Sequence, residues 1–329
     1  MLKHKSVLIT GGTGTFGKHF AKVMLKKYRD LERLIIYSRD EFKQFEMAQL
    51  KEFKDNPKMR YFVGDVRDRD RLYRAFEGVD IVIHAAALKQ IPSCEYNPFE
   101  AIKTNINGAQ NVIDAAIDRG VSKVVALSTD KACQPINLYG ATKLCSDKLF
   151  VAGNAYAGSK KTRFSVVRYG NVMGSRGSVV PYFQSLIKSG AKSLPITDER
   201  MTRFWLRLEE AVDLVLEALG TMVGGELYVK KLPSIKIIDL ASAMSPNLPI
   251  KIVGVRPGEK IHEIMISSDD SRNTLEFPTH YIIQPTFNWW SERNNHKKGK
   301  PVKAGFEYHS GNNTQWLSVS QIRKLLTKI

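Results

Sequence analysis

The first half of the chain alternates between short apolar runs and longer segments in which apolar residues recur at helical spacing. The apolar runs are rich in β-branched residues and lie at Val7–Thr10, Leu34–Tyr37, Tyr61–Val63, Ile81–Ile83, Val124–Leu127 and Phe164–Val167. Strands that are apolar throughout are typical of a parallel sheet covered by helices on both faces. The pattern predicts an α/β fold with a doubly wound parallel sheet over residues 1–169.

The pattern becomes less regular after Tyr169, where glycines and prolines interrupt it. The elements still predicted are an amphipathic helix at 209–219, short strands at 227–229 and 250–253, and a terminal helix around 318–326. We predict that residues 170–285 form a smaller substrate-binding lobe, interleaved with the first domain. Residues 286–329 are predicted to be a polar C-terminal extension.

The composition is that of a globular protein with an excess of basic residues. Of the 329 residues, 50 are Lys or Arg and 33 are Asp or Glu, which gives a formal net charge of +17. The basic residues are spread along the chain, whereas nucleic-acid-binding proteins concentrate them on one element. We therefore predict a generally basic surface with local phosphate-binding sites and no nucleic-acid partner.

Neither long apolar segments nor clustered cysteines occur in the sequence. The apolar runs are too short to span a bilayer, and the first residues lack the apolar segment of a secretory signal. Cys94, Cys133 and Cys145 are too widely spaced for a disulfide framework or a zinc site. We predict a cytoplasmic protein with no membrane contact and no metal site.

A glycine-rich turn directly follows the first predicted strand. In a first βα turn, glycines let the backbone approach a pyrophosphate and let the helix pack closely on the strand, while free N–H groups at the helix start bind phosphate. The turn predicts a Rossmann-like dinucleotide-binding site. The residues predicted to hold the dinucleotide here are Gly11, Thr13, Gly14, Thr15, Phe16 and Gly17.

The second strand ends in Ser38 and Arg39, with Lys43 one helical turn further on. A hydroxyl and an arginine at this place favour the 2′-phosphate of NADP, whereas NAD sites carry an acidic residue there. Asp40 and Glu41 argue for NAD, although Asp40 could instead cap the following helix. We predict NADP as the cofactor, with Ser38, Arg39 and Lys43 at its 2′-phosphate.

Two further strand ends suit a flat cofactor. Asp65 follows the third strand, where a carboxylate can reach the adenine amino group; a turn or capping role is the alternative. The small residues from Ala85 to Ala87 end the fourth strand and let a ring lie against the backbone. We predict that Asp65, Ala85 and Ala87 contact the cofactor.

Tyr139 and Lys143 are spaced as i and i+4, so a helix brings them to one face. They follow Thr129, which lies at the end of the fifth strand. An ammonium group beside a phenol favours the phenolate and lowers its pKa. The spacing predicts that Tyr139 acts as a base near neutral pH, tuned by Lys143.

In the order of these motifs the chain resembles the extended short-chain dehydrogenase/reductase family and, within it, the inverting UDP-N-acetylglucosamine 4,6-dehydratases. The resemblance covers about residues 5–285. The stretches that carry it are 84–89 (HAAALK), 128–131 (STDK), 137–143 (NLYGATK), 168–172 (RYGNV), 174–178 (GSRGS), 202–204 (TRF) and 256–260 (RPGEK).

The resemblance implies a three-step reaction on UDP-N-acetylglucosamine. The enzyme would oxidise C4, eliminate water across C5 and C6, and return the hydride to C6, so that the cofactor is regenerated in each turnover. The product would be UDP-2-acetamido-2,6-dideoxy-β-L-arabino-hex-4-ulose, the first intermediate of pseudaminic acid, which decorates bacterial flagellins. A homo-oligomer, a dimer or larger, is also implied.

The resemblance also implies a role for each group at the reacting end. Tyr139 would take the O4 proton, with Lys143 tuning it and Thr129 hydrogen-bonding the same oxygen. Asp130 would protonate the leaving C6 hydroxyl, and Lys131 would handle the C5 proton.

The pair Asp130-Lys131 stands where retaining relatives carry Asp-Glu. An amine can serve a different face of the sugar than a carboxylate could, which fits inversion. As a base the amine must be neutral, so we expect its pKa to be lowered by burial or by nearby positive charge. The alternatives left open are a surface ion pair, a retaining 4,6-dehydratase, a UDP-sugar 4-epimerase that needs no Asp-Lys pair, and an NADP-sensing regulator.

Binding residues complete the set that the resemblance implies. The pyrophosphate of a UDP-sugar suits the bidentate donors of arginine. The further cofactor contacts implied are Val66, Asn105 and Val172. The substrate contacts implied are Lys89, Asn171, Arg176, Arg203, Arg256 and Glu259.

Overall fold

The computed structural model describes residues 2–174, 177–287, 296 and 298–327. Its strands are β1 (Ser6–Thr10), β2 (Arg33–Ser38), β3 (Met59–Val63), β4 (Ile81–His84), β5 (Lys123–Leu127), β6 (Arg163–Arg168), β7 (Asn171–Val172), β8 (Leu194–Ile196), β9 (Thr202–Leu206), β10 (Leu227–Lys230), β11 (Ser234–Lys236), β12 (Ile250–Ile252), β13 (Ile264–Ile266), β14 (Thr274–Glu276), β15 (His280–Ile283), β16 (Lys300–Pro301) and β17 (Tyr308–His309).

The helices of the same part are α1 (Thr15–Lys27), α2 (Glu41–Gln49), α3 (Arg69–Ala75), α4 (Ile91–Tyr96), α5 (Pro98–Ile102), α6 (Gly108–Asp118), α7 (Leu138–Tyr156), α8 (Val179–Lys188), α9 (Leu208–Thr221), α10 (Ile237–Met244) and α11 (Val319–Leu326). A π-helical turn, Lys103–Asn107, joins α5 to α6. A short 3₁₀ turn, Asp130–Ala132, follows β5.

The central sheet has the strand order β16-β14-β15-β10-β6-β5-β4-β1-β2-β3. The strands from β3 to β10 in this order are parallel to their neighbours, whereas β15, β14 and β16 pair antiparallel. The order 3-2-1-4-5-6 is that of the doubly wound dinucleotide-binding fold, with its topological switch point between β1 and β4. The predicted Rossmann-like parallel sheet is confirmed.

Apolar layers on both faces hold the sheet between its helices. Side chains of α6 and α7, such as Val112 and Phe150, pack on one face. Side chains of α1 and α9, such as Phe20 and Val215, pack on the other. Because both faces are covered, β1 is buried along its whole length, which explains its uninterrupted apolar sequence.

The segment after residue 170 contributes to the central sheet and also forms smaller sheets of its own. Strands β10, β14 and β15 extend the central sheet, while β7, β9 and β11 form a three-stranded sheet and β8 pairs with β12. A third apolar cluster joins α8, α10 and α11 through residues such as Phe183, Leu240 and Ile322. The helices predicted at 209–219 and 318–326 are present as α9 and α11. None of the described helices is long and apolar enough to cross a membrane.

Candidate active site

A cavity of about 1290 Å³ opens along the carboxyl ends of the central strands, at the switch point of the sheet. Its wall is formed by the ends of β1, β2, β4, β5 and β6 and by loops of the segment after residue 170. Single-ligand pockets usually measure about 300–1,000 Å³. This cavity is therefore large enough for two ligands side by side, one over the sheet and one under the later loops.

The glycine turn at the end of β1 shapes the first half of the cavity. Gly11 has a φ of 66°, and a Cβ atom there would lie 2.9 Å from the backbone of Ala86. Any other residue would be strained at this φ and would push the two strand ends apart. Helix α1 begins after Gly14 without a side-chain cap, so its first N–H groups can bind phosphate.

The end of β2 forms the second part of this half. Asp40 caps α2 by accepting a hydrogen bond from the backbone N–H of Lys43 at 3.0 Å, and its carboxylate also pairs with the Lys43 ammonium. Of the two roles considered for Asp40, helix capping is therefore the one that the structure shows. The Arg39 guanidinium lies 3.8 Å from the Asp65 carboxylate and is half-exposed at the cavity wall, beside Ser38.

The other predicted cofactor residues line the cavity, with one exception. Asn105 is buried in the π-helical turn, and its side chain exchanges hydrogen bonds of 2.8 and 2.9 Å with the backbone of Leu88 and donates one of 3.0 Å to Thr142. Asn105 therefore lies behind the cavity wall and does not face the cavity, which differs from the predicted cofactor contact. The residues that do line the cavity are Gly11, Thr13, Gly14, Thr15, Phe16, Gly17, Ser38, Arg39, Lys43, Asp65, Val66, Ala85, Ala87, Tyr139, Lys143 and Val172.

Helix α7 brings Tyr139 and Lys143 to the cavity. Asn137 starts the helix by accepting a hydrogen bond of 2.8 Å from the Gly140 N–H. Burial raises the pKa of Tyr139 to about 12, against the opposing influence of the Lys131 charge and of the Thr129 hydroxyl. We expected Lys143 to lower this pKa, but Lys131 is the cation that does so.

Three charged groups meet where β5 ends. The Lys131 ammonium lies 3.1 Å from Asp130 Oδ1 and 3.0 Å from Glu263 Oε1. Burial acts to lower the pKa of Lys131, but the two carboxylates outweigh it and hold the pKa above its usual value. The expectation of a lowered Lys131 pKa is therefore wrong, because the nearest charges are negative. Burial, together with the Glu263 charge, raises the pKa of Asp130.

Asp130 lies beneath the cavity wall rather than on it. Its side chain is 1% exposed, and Oδ1 accepts a hydrogen bond of 2.9 Å from the Thr129 hydroxyl. Thr129 and Tyr139 both line the cavity, and the Thr129 hydroxyl acts to lower the pKa of the Tyr139 phenol. Thr129 therefore links the cavity surface, where Tyr139 lies, to the buried Asp130.

Glu263 is the site residue that the sequence reasoning missed. It lines the cavity just before β13, is 2% exposed, and lies 3.5 Å from the Arg203 guanidinium besides its contact with Lys131. Although burial disfavours the carboxylate, the charges of Lys131 and Arg203 keep the pKa of Glu263 low. The sequence signal was weak, since Glu263 stands three residues beyond the motif that ends at Lys260.

The predicted substrate residues surround the second half of the cavity. Asn171 is 3.4 Å from the Lys131 ammonium through its side-chain oxygen. Arg203 is buried and donates to two backbone carbonyls, so its guanidinium is already held in place. Arg176 lies outside the described residues. The residues of this set on the cavity wall are Lys89, Asn171, Arg203, Arg256 and Glu259.

Comparison with known proteins gives relatives over nearly the whole chain. A family model described as "Polysaccharide biosynthesis protein" matches residues 7–285. A Campylobacter jejuni protein named UDP-N-acetylglucosamine 4,6-dehydratase (inverting) is 58% identical over 332 residues, which covers 99% of this chain and 98% of the relative. A UDP-glucose 4-epimerase of Rickettsia akari is 41% identical over 333 residues, covering 99% and 96%.

Solved structures share the fold. Pen from Bacillus thuringiensis superposes with a TM-score of 0.89 at 40% identity, covering 100% of this chain and 99% of that one. The dTDP-glucose 4,6-dehydratase DesIV from Streptomyces venezuelae, solved with NAD and TYD bound, has a TM-score of 0.69 at 24% identity, covering 78% and 86%. The chain thus belongs to the polysaccharide biosynthesis protein family, in the group of sequences that includes inverting UDP-N-acetylglucosamine 4,6-dehydratases.

Proposed function

We propose that this protein is an inverting UDP-N-acetylglucosamine 4,6-dehydratase. The observation that carries the proposal is the lysine beside Asp130, where retaining dehydratases have a glutamate: the Lys131 ammonium lies at the cavity wall next to Tyr139. The 58% identity to a relative of that name over almost the full chain supports it. The product feeds pseudaminic acid synthesis in this proposal, as the resemblance implies.

A nicotinamide dinucleotide fits the first half of the cavity, and we propose that it is NADP. The uncapped start of α1 suits the pyrophosphate, and the close approach of Gly11 to Ala86 leaves a flat wall. Ser38 and Arg39 would hold the 2′-phosphate. When bound, the dinucleotide would supply the hydride acceptor for C4 of the sugar and the hydride donor for C6.

The remaining chemistry is proton transfer, which the side chains of this chain supply. Tyr139 accepts the O4 proton in its phenolate form, which the Lys131 charge favours and burial disfavours. Lys143, on the next turn of α7, faces the same cavity and orients the sugar and cofactor hydroxyls.

Asp130 is the neutral carboxylic acid of the site, and it protonates the departing C6 hydroxyl through the Thr129 hydroxyl, which lines the cavity. The O4 proton held by Tyr139 then restores Asp130 by the same route, so over one turnover it replaces the proton that leaves in the released water. Lys131 rests as an ammonium whose side chain is 20% exposed at the cavity wall. We assign both proton steps at C5 to Lys131: after the ammonium releases a proton to solvent, the amine removes the C5 proton. The ammonium formed in this way then protonates C5 as the hydride returns to C6, which sets the configuration, and a solvent proton restores the resting state.

A UDP-sugar 4-epimerase is the second candidate function, favoured by the 41% identity to a relative of that name. The two functions share Tyr139 and the cofactor turn but differ in product mass. Incubation with UDP-N-acetylglucosamine, followed by mass spectrometry, should give a product lighter by one water. A product of unchanged mass would mean that the protein is an epimerase, and the Tyr139→Phe variant serves as the inactive control.

A further inference from the structure

Lys131 is a cation shared by two carboxylates that are 133 positions apart in the chain. Asp130 stands beside it on the 3₁₀ turn after β5, while Glu263 comes from the loop before β13. The side chains of Asp130 and Glu263 are 1% and 2% exposed. Two acids and one lysine therefore meet in a place from which water is almost excluded.

One of these two carboxylates is better suited to hold the proton. Among the described residues, Asp130 Oδ2 and Glu263 Oε2 are buried without a hydrogen-bond partner, so ionising both acids is costly. Glu263 has a second cation, Arg203, at 3.5 Å, with Lys260 nearby. Within the described residues, Asp130 forms an ion pair with Lys131 alone and a hydrogen bond with the neutral Thr129 hydroxyl, whereas Glu263 pairs with two cations, so the proton belongs on Asp130.

We propose that Glu263 is a positioning residue that binds the Lys131 ammonium and so leaves Asp130 as the neutral acid. This inference rests on the proposed function, in which Asp130 protonates the C6 hydroxyl. The directions of the pKa shifts agree, since the Glu263 charge raises the pKa of Asp130, and the cations around Glu263 keep its own pKa low.

The C-terminal segment holds Glu263 in this position. The Ser310 hydroxyl accepts a hydrogen bond of 2.9 Å from the Glu263 backbone N–H, and the Ser310 N–H donates one of 2.8 Å to the Glu263 carbonyl. The same hydroxyl bonds the Thr202 side chain at 2.7 Å. Strand β17, just before Ser310, pairs with β13, so the extension after residue 286 completes the site from outside.

Several other groups contribute charge or a titrating proton to this cluster. Lys89 and Tyr139 face Lys131 from β4's loop and from α7, and Lys260 and Arg203 face Glu263. These four groups are unchanged in a Glu263 variant. If removing the Glu263 charge changes the pKa of Asp130, the change is therefore due to Glu263 itself.

The test is a pH titration of Asp130 by NMR, in protein labelled with ¹³C at aspartate carboxyls. The Asp130→Asn variant assigns the signal. Glu263→Gln keeps the shape of the side chain and removes its charge, Glu263→Asp keeps the charge, and Glu276→Gln removes a charge from an exposed pair with Lys231 as the matched control. We expect the midpoint of Asp130 to fall by about one pH unit or more in Glu263→Gln, since a charge within ~4–6 Å shifts a pKa by about 1–3 units.

The same variants are then assayed for turnover between pH 5 and 9. The reaction requires the neutral form of Asp130, and a lower Asp130 pKa means that this form disappears at lower pH. The alkaline limb of the kcat profile should therefore move to lower pH in Glu263→Gln and stay in place in Glu263→Asp and Glu276→Gln. An Asp130 midpoint unchanged in Glu263→Gln would overturn the proposal, and so would an equal loss of kcat at every pH. The NMR titration needs no substrate, so an inactive wild-type protein would count against the proposed function alone.

Discussion

Gly140 on α7 lies directly against the backbone carbonyl of Lys131, so close that a Cβ atom at position 140 would overlap it. This contact joins the helix that carries Tyr139 to the turn that carries Asp130. The relative position of the proton-accepting phenol and the buried acid is therefore set by backbone packing. Only glycine permits the approach.

Gly140→Ala should disturb this junction. The added methyl group meets backbone atoms, which cannot rotate away, so α7 must move outward. We expect a loss of stability of about 1–3 kcal/mol, as for other overpacked sites, together with a large fall in kcat because Tyr139 moves away from Thr129. Urea unfolding and steady-state kinetics measure the two effects. Wild-type stability and turnover in this variant would show that the contact is not needed.

Tyr139→Phe should fold and bind the dinucleotide but lose most of its turnover. Removing a group that accepts the O4 proton costs about 10²–10⁴-fold in rate. Tyr156→Phe removes a hydroxyl from the exposed end of the same helix and should retain full activity. Turnover and cofactor binding are measured for both variants. A Tyr139→Phe enzyme as fast as Tyr156→Phe would assign the O4 proton to another group.

Arg39→Ala should weaken the binding of NADP much more than that of NAD. The guanidinium contacts only Asp65 in the described part of the chain, so it can turn to the 2′-phosphate. Loss of a hydrogen bond to a charged group costs about 1.5–3 kcal/mol. Calorimetric titration with both dinucleotides measures the difference, and Arg200→Ala, an exposed arginine outside the cavity, is the control. Equal losses for NADP and NAD would remove Arg39 from the 2′-phosphate site.

His84 should make the protein less stable in acid. Burial and the charge of Lys143 lower its pKa to about 3, well below the ~6.5 of the unfolded chain. The unfolded state therefore binds a proton that the folded state does not, so stability is lost as the pH falls below about 6.5. We expect the wild type to lose about 2 kcal/mol more than His84→Gln between pH 7 and pH 5. Urea unfolding at both values tests this, and identical losses would contradict it.

The apolar runs predicted the first six strands and that they form a parallel sheet, because buried strands need continuous apolar sequence. The glycine turn at Gly11 and the spacing of Tyr139 and Lys143 predicted two parts of the cavity wall, since both patterns are local in the chain. What brings those parts together is long-range packing, such as the contact between Gly140 and Lys131.

The electrostatics of Lys131 could not be predicted for the same reason. The cation was known from the sequence, but Glu263 reaches it from 132 residues away through the pairing of β13 with β17. Asn105 shows the opposite case, a residue that the sequence assigned to the site and the fold keeps out of it. Its side chain hydrogen-bonds the backbone of Leu88 behind the cavity wall. Sequence order gave the residue types near the site, and the fold decided which of them face the cavity.

Lys131→Ala tests the part that Lys131 plays in elimination and in inversion. The variant lacks the group that we assign to the proton steps at C5, while Asp130 and Tyr139 remain. We expect it to bind UDP-N-acetylglucosamine but to lose the inverted product. Product ring couplings are read by NMR. An inverted product formed at the wild-type rate would remove Lys131 from the mechanism, and a 4-keto-6-deoxy sugar without inversion would restrict Lys131 to the stereochemical step.

The most direct test of the account is the reaction of the wild-type protein with UDP-N-acetylglucosamine in deuterated water, followed by NMR of the product. Inverting dehydration requires that solvent deuterium enters at C5, that C6 becomes a methyl group carrying the hydride from C4, and that the C5 configuration is reversed. The account predicts all three in one product. A product that keeps its C6 hydroxyl, or a 4-keto-6-deoxy sugar with the original C5 configuration, would contradict it.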